Sequence, residues 1–136
     1  MKLEDCKKIP DGITVEECKN FFKDVISSFD NNSIEKKEFL EMIVILTDKQ
    51  CQTYEILEEE IRKLLDKRLA ELWNTNDYDD VDCITYIVAN IGLVDTYGRI
   101  VCSLENSEYM DKEILQEIQE FVDESDGDIS NPYRFL

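Results

Sequence analysis

Apolar residues recur at intervals of three and four along this chain, in five stretches separated by short polar turns. That spacing matches the 3.6-residue turn of an α-helix, so each stretch has one face fit for burial and one fit for water. With only 4 Gly and 2 Pro in 136 residues, the chain lacks the punctuation that turn-rich β architectures need. A chain of this length makes one domain and can bury a real core. The expected fold is all-α, one helical domain over 1–136 with an N-terminal arm over 1–12.

The first stretch opens with a capping box, Thr14 with Glu17. Behind it Cys18, Phe21, Phe22, Val25, Ile26 and Phe29 form one face, giving a helix over 14–29. After the turn Asp30-Asn31-Asn32, Ser33 can cap a second helix whose inward residues are Ile34, Phe39, Leu40, Met42, Ile43 and Leu46. A third helix is expected from Thr53 to Trp73, with an outer face balanced by Glu58–Arg62 and Glu59–Lys63 pairs. Such pairs contribute roughly 0.2–0.5 kcal/mol each. Asp79 or Asp80 can cap a fourth, strongly apolar helix over 81–94, with Gly92 near its end. Its β-branched density also suits a buried strand, so the 81–104 region keeps both readings, and the type of 95–104 stays open. The last helix covers 111–124, with Ile114, Leu115, Ile118, Phe121 and Val122 inward. The tail 125–136 is expected to dock its Tyr133, Phe135 and Leu136 on the domain. Three helix pairs of roughly 40 residues suggest a compact, solenoid-like stack of helical hairpins.

Catalytic chemistry finds little to work with. The chain has no His, the commonest general base and a common metal ligand. Cys6, Cys18, Cys51, Cys83 and Cys102 are odd in number, widely spaced and without a CxxC pair, so they read as small buried hydrophobes in a reducing compartment. The glycines are isolated, which leaves no phosphate-binding loop. The acidic DESDGD run fails as a calcium loop: with Gly127 in the sixth position, the twelfth is Tyr133 where a Glu is needed. No metal, no cofactor and no enzymatic activity are therefore expected. The charged N-terminus and the lack of a long apolar run lead to an expectation of a cytoplasmic protein.

Charge constrains the partners more tightly. The net charge is −17, which disfavours direct contact with nucleic acid or an anionic membrane and favours a basic protein surface. The first 68 residues hold 12 Lys and Arg against 16 Asp and Glu; the last 68 hold 3 against 16. On the last helix Glu113, Glu117, Glu120 and Glu124 follow at four, three and four residues, an arrangement that repels itself by a few tenths of a kcal/mol per pair. A second stripe runs through Asp79, Asp82, Tyr86 and Asn90, near Asp77, Tyr78 and Asp80. Either stripe can be a solvated face. The functional reading makes them a docking surface on which carboxylates steer a cationic partner and Tyr78, Tyr86, Tyr97 or Trp73 anchor it.

The segment LAELWNTNDYDDVDCITYIVANIGLVDTYGRI, Leu69 to Ile100, together with size and charge, resembles the small acidic, mostly helical immunity proteins of bacterial contact-dependent inhibition and other polymorphic toxin systems. The resemblance implies a cytoplasmic antitoxin that forms a 1:1 complex with a cognate toxin domain, often a basic nuclease, and neutralises it by occlusion. The alternative is an acidic helical adaptor, regulatory subunit or nucleic-acid mimic that binds a basic protein without inhibiting a toxin.

Overall fold

In the computed structural model, which describes residues 2–125 and Ile129, the periodic stretches are helices. They are α1 (Leu3–Lys7), α2 (Val15–Asp30), α3 (Lys36–Cys51), α4 (Glu59–Leu72), α5 (Tyr78–Ile91), α6 (Val94–Ser103) and α7 (Lys112–Glu124); a 3-10 helix, Leu104–Tyr109, joins the last two. No strand occurs among the described residues. The fold is all-α, and the strand alternative for 81–104 gives way to two helices separated at Gly92 and Leu93.

Apart from the extensive α2–α3 pair, packing runs chiefly between helices two apart in the chain. α1 lies on α3, α3 on α5 and α5 on α7, while α2 lies on α4 and α4 on α6. α3, α5 and α7 thus form one layer and α2, α4 and α6 the other, joined most closely where α2 meets α3. The layers close over Phe22, Phe39, Leu40, Met42, Ile43, Leu46, Leu65, Leu69, Ile84, Ile87 and Ile91, all with almost no exposure. Burying each such side chain stabilises the fold by roughly 1.5–3 kcal/mol. The N-terminal arm is part of the core, since Cys6 and Ile9 are buried against it.

Local chemistry sets the helix limits. At α2 the Thr14 hydroxyl accepts the Glu17 N–H at 3.1 Å, and the Glu17 carboxylate accepts the Thr14 N–H at 3.2 Å. Ser33 does not cap α3. Asn32 adopts φ 60° and turns the chain, Ile34 is buried in the reversal, and the helix begins two residues later than the Ser33 cap requires, behind Glu35. α4 starts at Glu59 rather than Thr53, because Gln50 and Thr53 tie the intervening turn together. The Gln50 amide donates to the Glu55 carbonyl at 2.8 Å, and the Thr53 hydroxyl to the Gln50 carbonyl at 2.7 Å. The expected Glu59–Lys63 pair forms at 3.2 Å. α5 ends where Gly92 takes φ 84°, a left-handed closure open to glycine at little strain.

A buried carboxylate fixes the start of α6. Asp66, on α4, accepts the Asp95 N–H at 2.9 Å, the Thr96 N–H at 2.8 Å and the Thr96 hydroxyl at 2.6 Å. It serves as an N-cap supplied by a different helix. No helix among the described residues is long and apolar enough to cross a membrane. The expected docking of Tyr133, Phe135 and Leu136 lies outside the described residues; of the tail beyond Ser125, only Ile129 is described, and it is buried.

Candidate partner-binding site

The acidic loop before α5 divides into two kinds of carboxylate. Asp77, not Asp79 or Asp80, caps α5, accepting the Asp79 N–H at 2.9 Å and the Asp80 N–H at 3.3 Å. Asp80 is 1% exposed and is held by Lys36 at 2.6 Å, Lys37 at 2.9 Å and the Asn74 amide at 3.1 Å. Lys37 also reaches Asp77 at 2.5 Å. Burial alone would raise the Asp80 carboxyl, but the bonds from the two lysines and Asn74 outweigh it and hold the group below the ordinary carboxylate range. Asp77 is held low chiefly by its bond to Lys37. These two acids tie the start of α5 to the start of α3. Both are charge-compensated, whereas Asp79 and Asp82 stand exposed.

The two acidic stripes meet. A groove of about 200 Å³ lies between α5 and α7, with Asp82, Thr85, Tyr86, Ala89 and Asn90 on one side and Glu117, Glu120, Phe121 and Glu124 on the other. A second cleft of about 250 Å³ adjoins it, sharing Glu117 and Glu120 and adding Tyr78, Glu113 and Gln116. Among the described residues, no Lys or Arg lines either of them. The Glu117 carboxyl is raised above its ordinary value, first by burial and then by the charge of Asp82, against the lowering effect of the Tyr78 hydroxyl that donates to it at 3.2 Å. Carboxylates crowded without counter-charge destabilise one another, and an incoming cation relieves that repulsion.

The tyrosines expected as anchors differ in role. Tyr78 and Tyr86 are half-exposed at the groove edge. Tyr86 donates its hydroxyl to Asp48 on α3, a bond that, together with burial, pushes its own ionisation up to about 12. Tyr97 instead packs edge-on against Phe121, ring centres 5.8 Å apart, at the margin of the core. It backs the groove floor and is no free anchor. Glu120 accepts from the Gln116 amide at 3.0 Å and stays exposed, as does Glu113. Sequence reasoning did not find Ala89 and Phe121 as the floor, Asp48 as the support for Tyr86, or Lys36 and Lys37 as the lysines that neutralise part of the loop. Only the Lys36-Lys37 doublet carried a local signal.

All five cysteines are free: Cys6 and Cys18 are buried, Cys51 and Cys83 half-buried, Cys102 exposed. Among the described residues no group of three or more Cys, Asp or Glu side chains is arranged to hold a metal ion. No protein-family model matches the chain, and no curated protein or solved structure shows significant similarity to it.

Proposed function

We propose that this protein acts by binding rather than by catalysis. It is read as an immunity protein that pairs 1:1 with a cognate bacterial toxin domain, a basic nuclease, and neutralises it by occupying the cleft that would hold nucleic acid. The observation that carries this reading is the convergence of Asp82, Glu117, Glu120 and Glu124 on one groove that no Lys or Arg lines among the described residues. Several acids elsewhere are compensated: Asp80 by Lys36 and Lys37, Asp30 by Arg68 and Asp11 by Lys49. A nuclease cleft is shaped to attract phosphates, so a line of carboxylates competes in the same field.

The test is to co-purify the chain with the product of the gene immediately upstream and to measure that product's nuclease activity with one equivalent of the protein. Inhibition by the parent, lost in the combined D82N/E117Q/E120Q/E124Q variant, is the expected result. Full nuclease activity in the presence of bound protein would favour an adaptor instead. Inhibition by the quadruple variant equal to that of the parent would remove the groove from the interface.

A further inference from the structure

We infer that the α5–α7 groove receives an α-helix of the partner, one that presents Lys or Arg along a single face at i, i+4, i+7 and i+11. The inference rests on the basic-partner reading above and adds the conformation and pattern of the segment that docks. Thr85 is buried and Ala89 and Phe121 are half-buried, so an uncharged floor lies between acidic rims. Residues as short as Ala89 and Thr85, one turn apart on α5, leave room for a side-chain ridge to enter between the Tyr86 and Glu120 edges.

The spacing of the charges selects the conformation. The rim Glu113, Glu117, Glu120, Glu124 spans 11 residues of α7, about 16 Å at a rise of 1.5 Å per residue, or about 5.5 Å per carboxylate. One face of a partner helix repeats at the same pitch, about 5.4 Å per turn. An extended segment repeats on one face every 6.6–6.8 Å or so. Across three intervals it would run about 3–4 Å out of register, farther than a charge-assisted hydrogen bond tolerates. A helix therefore matches all four carboxylates, and a strand only some of them. The opposite rim supplies Asp82 and the Tyr86 ring, so the docked helix meets acid on both sides and apolar surface beneath.

The experiment uses the intact protein and three peptides of equal length and equal Arg content. One has Arg at i, i+4, i+7 and i+11 on a helical Ala-Leu background; one has the same residues scrambled around the helix; one is held extended by prolines. Binding is read by fluorescence anisotropy at roughly 150 mM salt, where diffuse attraction is screened beyond about 8 Å. The patterned helix is expected to bind at least tenfold tighter than either of the others, and E120K, at an exposed position, to abolish that preference. A89L, which fills the floor, should weaken the patterned peptide while thermal melting confirms that the variant is folded. Equal binding of all three peptides would overturn the helical occupant and leave the basic-partner reading standing. A preference that survives both E120K and A89L would overturn the site. If no peptide binds, the helix inference falls, and the broader reading is decided by the nuclease assay, which does not depend on the partner's conformation.

Discussion

Asp66→Ala is the most informative single perturbation of this fold, because one carboxylate holds the first turn of α6 from another helix. The substitution removes acceptors from the Asp95 N–H, the Thr96 N–H and the Thr96 hydroxyl. Asp95 is exposed, so its N–H regains water. The Thr96 hydroxyl lies 3.0 Å from the Asp66 carbonyl and turns to it. The Thr96 N–H is fully buried and is left without a partner, which costs about 1–3 kcal/mol. Loss of a negative charge at a helix N-terminus adds roughly 0.3–1 kcal/mol. Relief of carboxylate burial offsets part of this, so the expected loss is about 2–3 kcal/mol, or about 8–12 °C in melting temperature for a chain of this size. Urea unfolding should show a lowered midpoint with an unchanged slope. Thr96→Val should cost less, since it keeps the N–H bond, and the double variant should cost less than the sum of the singles. A variant within about 0.5 kcal/mol of the parent would refute the capping role.

Other expectations separate fold from interface. Asp80→Ala should destabilise the protein by about 2 kcal/mol, below the full 3–5 kcal/mol for breaking a buried pair, because the Lys36 and Lys37 side chains are 38% and 54% exposed and rehydrate. The D79N/D82N pair should leave urea stability unchanged and slow association with the partner; a drop in stability comparable to that of Asp80→Ala would contradict the division drawn between them. With a thiol-reactive reagent followed by mass spectrometry, Cys102 should label in the native state, while Cys6 and Cys18, whose thiols burial pushes up to about 11 and about 12, should label only on unfolding; early labelling of either would refute their placement. Acidification should act in two stages. Glu117 has a raised carboxyl, so partner association weakens first as pH falls through that value and the charge is lost. Asp80 is depressed, so its contribution to stability is complete above the ordinary carboxylate range and is lost only as pH falls through its lower folded value. On-rates and melting temperatures measured over one pH series should separate, and coincident declines would count against the assignment.

Much of the fold was legible because helix signals are local. The Thr14–Glu17 capping box, the apolar faces of α2, α3 and α7, and Gly92 at the end of α5 all depend on residues within about one turn of each other. The β-branched run in α5 was ambiguous for the same reason, since its helical state is selected by burial between α3 and α7. What escaped was long-range pairing. Nothing in the sequence couples Asp80 to Lys36, 44 positions away, or Asp66 to Thr96, 30 away. The acidic stripes were legible one at a time; that they face each other follows from the α5–α7 packing. Asp77 and Asp80, grouped by sequence with the docking acids, are structural because two lysines happen to fold onto them.

The order of the layer α3, α5, α7 gives the groove unequal walls. α5 is buried on both flanks, with Val81, Ile84, Thr85, Ile87, Val88 and Ile91 sealed, whereas α7 is, among the described residues, the outermost helix of its layer and seals only Ile114 and Ile118. In stacked repeats the terminal unit has one neighbour where an internal unit has two, so it opens at lower free energy and exchanges its amides sooner. On the binding reading, a partner seated in the groove would meet a well-buried wall carrying Asp82 and Tyr86 and a less buried wall carrying the glutamates. On that reading, a partner of different girth would be accommodated more readily by displacement of α7 than by repacking the centre of the domain.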